Sequence, residues 1–238
     1  GGGGGEGLTV RRRNGRIPSD IMLEIIHEDD DIIVVNKSAG RYVHPSPGHE
    51  RGTLTEELVR LRPALRTVGS VERPGVVHRL DAGTSGVMVF AKNRRAYLKL
   101  RTAFESHLAV RKTYLAVVQG RPPRPAGTLE TTIGRKPWDP RRMACDTPDG
   151  KRAVTHWTVL GHHNGRSLVE FVIETGRTHQ IRVHAAHLGC PIVGDDLYGQ
   201  KGDRGRLLLH AVEISFPHPA TGKTVTFAAP PPPDIIYA

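Results

Sequence analysis

The chain predicts an α+β protein built on a mixed, largely antiparallel sheet flanked by helices and loops. Strand and helix signals alternate without a regular strand–helix–strand rhythm, polar turn clusters interrupt the chain often, and short β-branched or alternating runs outnumber amphipathic helical stretches. At 238 residues the chain is long enough to bury a substantial core, and a single domain over 21–238 is the expected organisation. Residues 1–20 read as a flexible basic arm, with Gly1 to Gly5 of low complexity and Arg11, Arg12, Arg13 and Arg16 behind it.

Each element has a local reason. Ile32 to Val35 is a β-branched run, hence a strand that ends at Asn36-Lys37. Thr53-Leu54-Thr55-Glu56 has the form of a capping box opening a helix whose Leu54, Leu58 and Leu61 share one face, with Pro63 closing it. Val76-Val77 enters the next segment as a short buried strand, and Val87 to Ala91 leaves it as another. Asn93 caps a second helix, in which Tyr97, Leu100, Phe104 and Leu108 form an apolar stripe. Lys112 to Val118, Ala153 to Leu160 and Ser167 to Glu174 are strands, the last two joined by a hairpin turn at His162-His163-Asn164-Gly165. Thr178 is placed to cap a third helix, with Ile181, Ala185 and Leu188 facing inward and Gly189 as the stop. Leu207 to Phe216 and Lys223 to Ala228 make a final strand pair, followed by a semi-rigid tail at Pro230 to Pro233. Arg121 to Pro125 and Gly134 to Arg152 are expected to be irregular, because proline removes a donor and restricts the residue before it.

Charge narrows the partner. Thirty-four Lys and Arg against 24 Asp and Glu leave a net charge of +10, with a pI near 10.1, which suits a polyanion. No long apolar run or basic amphipathic helix points to a membrane. Cys145 and Cys190 match no metal-site spacing and read as free thiols of a reducing, cytoplasmic setting. Arg135, Lys136, Arg141 and Arg142 surround Trp138, a mixture of planes and charges suited to unpaired bases of RNA.

The densest chemistry lies in Val77-His78-Arg79-Leu80-Asp81-Ala82-Gly83-Thr84-Ser85-Gly86. One carboxylate follows a cation and precedes a turn of glycines and hydroxyls, where Thr84 and Ser85 can donate hydrogen bonds and Gly83 and Gly86 admit a ligand close to the backbone. This run resembles the catalytic signature of the RluA-type RNA pseudouridine synthases. Three further stretches fit the same family in order: Glu28 to Gly40, Lys112 to Gly120, and Thr175 to Gly199. Ser38 stands where relatives commonly carry proline, and the residues ahead of Ile21 are too few for the S4 domain that many relatives carry.

The resemblance implies isomerisation of uridine to pseudouridine in ribosomal or transfer RNA without cofactor or metal, and a monomer is the default expectation. Asp81 takes the place of the catalytic aspartate, either attacking the ribose or stabilising positive charge on it. A buried carboxylate needs a neighbouring cation, and Arg182 in His179-Gln180-Ile181-Arg182 holds the family's position for it. Tyr114 matches the active-site tyrosine, offering a face for uracil and a hydroxyl near C5. Arg79 matches the residue that fills the stack after the uridine is extruded. Thr84, Arg177 and His78 complete the expected RNA contacts, His78 with no chemistry assigned.

Other constellations carry less. His179, His184 and His187 fall on one predicted helix without a completing carboxylate, so no metal site is expected. Glu170 and Glu174 read as exposed strand carboxylates rather than a glycosidase pair. Gly194-Asp195-Asp196 and Tyr198-Gly199 are expected to shape the site. A glycosidase or nucleosidase, and a non-catalytic RNA-binding module, are the competing readings; basic loops disfavour the first, and an intact Asp81, Tyr114 and Arg182 the second.

Overall fold

The computed structural model describes residues 23–236, so the expected basic arm at 1–20 lies outside the described residues. In chain order the elements are β1 (Glu24–Glu28), β2 (Ile32–Lys37), α1 (Leu54–Leu61), β3 (Ser85–Ala91), α2 (Arg94–Ser106), β4 (Arg111–Gln119), β5 (Ala126–Lys136) and β6 (Asp139–Cys145). They continue with β7 (Lys151–His163), β8 (Arg166–Ile173), α3 (Gln180–His187), β9 (Leu209–Pro217), β10 (Thr224–Ala228) and α4 (Pro233–Ile236). The strands form one sheet ordered β1-β2-β3-β9-β4-β8-β7-β5-β6, with β10 also paired to β9. Among the described residues every pairing is antiparallel except β3 with β9, which confirms the α+β architecture and its mixed sheet.

The sheet forks at β9. One of its edges runs antiparallel along β4. The other is shared: His210 and Ala211 pair in parallel with Ser85 and Gly86, and Glu213 to Pro217 pair with β10. The two backbones come so close at the fork that a Cβ on Gly86, whose φ is +126°, would lie 2.2 Å from the Ala211 carbonyl oxygen. Gly86 therefore admits β9, not a ligand as its motif position suggested.

Burial follows from layering. Every residue of β3 is buried. Ile32 to Val35 of β2 are wholly inaccessible, and α2 packs on β3 and β9. Phe90, Phe171 and Phe216 are among the largest fully buried side chains, each contributing about 2–3 kcal/mol by leaving water. Helix caps appear where predicted: Thr53 Oγ1 accepts from the Glu56 amide, and Asn93 Oδ1 from the Ala96 amide. The reciprocal arm of the capping box reaches one residue further back, with Glu56 accepting from Gly52.

Several expectations change. Val76 and Val77 form no strand and contribute a single bridge, Val76 to Phe90. Leu61 and Leu108 are exposed, because α1 buries only Leu54 and Leu58 of its leucines, and α2 ends before Leu108 at a left-handed His107. The segment expected to be irregular, Gly134 to Arg152, continues β5 and forms β6, an edge strand. Its Pro140 is tolerated because it falls at the bulge between the Lys136–Asp139 and Arg135–Met143 pairs, where no ladder bond is required of it. The β7–β8 strands run through His163, leaving a two-residue turn in which Asn164 and Gly165 both have positive φ. The proline tail turns into α4, whose Ile235 is buried against Val117, Val193 and Leu208. No helix among the described residues is long and apolar enough to cross a membrane.

Gly86→Ala is expected to cost about 3 kcal/mol or more in guanidinium unfolding, because both backbone space and φ oppose a side chain. Gly161→Ala, with nothing within 4 Å of its Cβ position, is expected to stay within about 0.5 kcal/mol of the parent. Equal loss in both variants would refute the role given to the fork.

Candidate active site

Asp81 lies on the loop leading into β3, and that loop is tied down from below. Lys37, at the end of β2 and 1% exposed, donates from Nζ to the carbonyls of Ser38, Arg41 and Ala82 at 2.8–3.0 Å. The Gly40 amide binds the Ala82 carbonyl as well. Burial draws the Lys37 pKa down to about 7, yet three carbonyl acceptors satisfy the ammonium when it is charged. The Asp81 carbonyl accepts from Thr84, so the loop closes on itself as a turn. The Asp81 side chain is 27% exposed and faces a cleft of about 350 Å³.

Arg182 projects from α3 toward the same carboxylate. Its Nη1 is 3.5 Å from Asp81 Oδ2, at the outer limit of a hydrogen bond. The stronger partner is Asp195, whose fully buried carboxylate takes Nε at 2.9 Å and Nη2 at 2.8 Å in a two-pronged pair. Asp196 adds a contact at 3.1 Å. Burial opposes charge on Arg182, but the hydrogen bonds and the carboxylates outweigh it and raise its pKa. Burial likewise pushes Asp195 upward, and the guanidinium outweighs it, leaving that carboxyl below its ordinary range. Arg182 is thus a fixed cation held from behind, with one amino group left for Asp81.

The remaining parts converge from other elements. Tyr114 on β4 is buried and lines the cleft; burial, reinforced by the Asp81 charge, raises its pKa, so the phenol stays neutral. A neutral phenol offers a stacking face and a donor rather than a base. Arg79 is exposed and donates to Thr178 Oγ1 at 3.3 Å. It stands between the cleft and a neighbouring cavity of about 500 Å³, and Asp81 and Arg182 line both. Thr84 and Arg177 line the cleft, Arg177 with Nε bonded to the Arg152 carbonyl.

Some placements differ from expectation. Thr178 does not cap α3, because its hydroxyl serves Arg79; a left-handed His179 occupies the cap with no side-chain bond. Gln180 ties the helix start instead, accepting from Thr175 and the Arg177 amide and donating to the Val154 carbonyl and Thr155. His78 is committed to the fold. Its Nε2 accepts from the Val89 amide, its ring stacks on Phe104 at 4.6 Å, and burial lowers its pKa to about 3. It contributes a wall to the cleft and no charge. His184 spends both ring nitrogens on Thr155 and Thr131, and His179 bonds Tyr198.

The basic hairpin of β5 and β6 carries Arg135, Lys136, Arg141 and Arg142, with Trp138 79% exposed at its tip and Lys136 Nζ 5.7 Å from the Trp138 ring centroid. Asp139 pairs with Arg141 and Arg142. The hairpin is joined to the site through Tyr198, whose hydroxyl accepts from the Met143 amide, bonds His179 Nδ1, and belongs to a ring 5.3 Å from the Arg182 guanidinium carbon. Sequence reasoning missed Asp195 as the holder of Arg182, and missed Lys37 and Lys112. A signal existed for each: a carboxylate pair in a tight turn after a helix bearing an arginine, a lysine at the end of the strand whose apolar run is Ile32 to Val35, and a lysine two residues from Tyr114 on one strand face.

Comparison with known proteins identifies the family. The family described as RNA pseudouridylate synthase matches residues 31–187. An RNA pseudouridine synthase of Synechocystis sp. is 42% identical over 222 residues, covering 91% of this chain and 68% of that protein. Ribosomal large subunit pseudouridine synthase D of Neisseria meningitidis serogroup A is 41% identical over 252 residues, covering 98% and 66%. The chain therefore spans about two thirds of the length of these relatives. Among solved structures, human RNA pseudouridylate synthase domain containing 1 superposes with a TM-score of 0.74 at 30% identity, covering 90% of this chain and 86% of that one. Human RNA pseudouridylate synthase domain containing 4 gives 0.72 at 26% identity, covering 90% of both.

The neutral histidines make stability pH-dependent. His78 and His184 have pKa values lowered to about 3 and about 4, chiefly by burial. Between pH 6.5 and about 4 the unfolded chain binds protons that the folded chain refuses, so stability falls as pH falls. Guanidinium unfolding at pH 7 and pH 4.5 is expected to differ by about 2 kcal/mol or more; equal midpoints at both pH values would contradict this.

Proposed function

The chain belongs to the RNA pseudouridylate synthase family, and on that premise we propose that Asp81 is the carboxylate with which it isomerises uridine to pseudouridine in structured RNA. The observation that carries this assignment is the meeting of Asp81, Tyr114 and Arg182 in one cleft, although they stand far apart along the chain. The reaction breaks the bond from ribose C1′ to N1, turns the base, and joins C5 to C1′. A carboxylate at C1′ serves either as nucleophile or as counter-charge to the sugar. Arg182 keeps that carboxylate oriented while Asp195 takes most of the guanidinium's hydrogen-bonding capacity. Tyr114 provides the flat neutral face on which the base rests.

Access requires the uridine to leave its stack, at a cost of a few kcal/mol. Arg79 at the rim between the two cavities is the side chain positioned to occupy the vacated space. The Neisseria relative acts by name on the large ribosomal subunit, and ribosomal RNA is the substrate we propose here. The hairpin bearing Arg135, Lys136, Trp138, Arg141 and Arg142 is its second point of contact. Its charges meet phosphates, and Trp138 stacks on an unpaired base.

Tritium release from C5-labelled uridine in ribosomal RNA tests the reaction. Wild-type protein is expected to release tritium, Asp81→Asn to lose release by 10³-fold or more, on the order expected for removal of a covalent or charge-stabilising group; Arg79→Ala is expected to be impaired on folded RNA. Matching release by wild type and Asp81→Asn would rule out Asp81. Replacing Arg135, Lys136, Arg141 and Arg142 together by Gln is expected to flatten the slope of log affinity against log salt by about 1–3, while Asp81→Asn leaves that slope unchanged. An unaltered slope in the hairpin variant would remove the hairpin from the RNA interface.

A further inference from the structure

The reaction assigned above leaves one charged side chain of the cleft without work. Lys112 stands two residues before Tyr114 on β4, so the strand's period of two puts both on the same face. It is 8% exposed, lines the cleft shared with Asp81 and Tyr114, and has no hydrogen-bond or ion-pair partner among the described residues. Burial alone draws its pKa down to about 8. The contrast with Lys37 is informative, because that still more buried lysine has its ammonium satisfied by three carbonyls. A largely buried lysine whose ammonium reaches only the cleft and has no protein partner among the described residues carries a desolvation cost, which is offset when a ligand supplies the partner.

Asp81 and Glu105 line the same cleft, but among the described residues no carboxylate pairs with Lys112. His78 from the loop before β3 and His107 from the end of α2 both have lowered pKa values, chiefly from burial and then from the Lys112 charge. Tyr114 is neutral, Glu105 is engaged by Arg101 at 2.6 Å, and Arg177 is a cation. His107 Nδ1 is a buried polar atom without a partner at this end of the cleft. A Cβ on Gly176 would stand 3.0 Å from Lys112 Nζ and 3.5 Å from His107 Cε1, so a side chain there would crowd the ammonium.

We propose that Lys112 is a further substrate-contacting residue, binding an oxygen-bearing edge of the extruded uracil and holding the negative charge that the base carries while detached from the ribose. This rests on the isomerisation assigned above. When the C1′–N1 bond breaks, its electron pair stays with the base and spreads over O2 and O4. An ammonium fixed beside the base stabilises that charge more than it stabilises neutral uracil, which is the condition for lowering the barrier. After the base turns, the electron pair at C5 forms the bond to C1′, the C5 proton passes to water, and N1 takes a proton from water. Lys112 remains protonated throughout, so the reaction stays an isomerisation with no net proton transfer.

Single-turnover pseudouridine formation at saturating RNA from pH 6 to 10 tests this with Lys112→Met and Lys112→Arg. Lys112→Met is expected to lose 100-fold or more in rate with RNA affinity within threefold of wild type. The fall in wild-type rate above pH 8 should vanish in that variant, and Lys112→Arg should recover at least tenfold of the loss. A Lys112→Met rate within threefold of wild type, or an unchanged alkaline limb, overturns the proposal. A separate readout does not depend on turnover: the ¹³Cε signal of Lys112 in wild-type protein, titrated with and without millimolar uridine 5′-monophosphate. An upward shift of its midpoint supports the contact, and an unmoved midpoint overturns it. That measurement decides the question if Lys112→Met fails to fold. Absence of pseudouridine with wild-type protein would instead count against the assigned reaction.

Discussion

The buried pair of Arg182 and Asp195 is the constraint on which the site depends. A guanidinium inside a protein is tolerable only if its donors are spent, and removal of one partner of such a pair typically costs about 3–5 kcal/mol. Here Asp195 takes two donors in a planar arrangement, and its Oδ1 also accepts from the Leu197 and Tyr198 amides. The turn after α3 is thereby locked to the helix it follows. Because Asp195 satisfies Arg182, Asp81 is not consumed as a structural counter-ion. Its contact at 3.5 Å orients the carboxylate and leaves its capacity for a ligand.

The sheet supplies the second constraint. β9 must meet β3, β4 and β10, and it manages this by dividing one edge between a short parallel ladder and a longer antiparallel one. The parallel contact begins at Ser85, four residues after Asp81, so the fork sets where the Asp81 loop enters the sheet. Lys37 braces that loop from the neighbouring strand, and Lys112 lines the cleft. Two buried lysines thus mark two conditions: one satisfied by carbonyls, the other without a partner among the described residues and facing the cleft.

Local signals were legible where the physics is local. Thr53 and Asn93 cap their helices as their side chains and spacing indicate, and Asn164-Gly165 makes the hairpin turn its composition favours. Failures came where distant partners redirect a residue. Thr178 has a capping side chain, but Arg79, 99 positions away, engages its hydroxyl. Pro140 looked like a loop residue, yet β5 offers an edge on which a bulged strand tolerates it. The proline tail looked solvated until Ile235 found an apolar pocket and Asp234 paired with Arg206 at 2.6 Å and 3.1 Å.

By itself the sequence determined the fold class and the basic character that favours RNA, because residue type, period and cap chemistry act within a few positions, and its family motifs singled out Asp81, Tyr114 and Arg182, which the structure brings to one cleft. Tertiary structure decided what those residues can do. The cation's true partner, the neutrality of Tyr114 and His78, the close approach at Gly86 and the solitude of Lys112 all depend on burial and on groups brought together from far along the chain. Desolvation and ion pairing are properties of three-dimensional surroundings, so they emerge only once the sheet, α2 and α3 enclose the cleft.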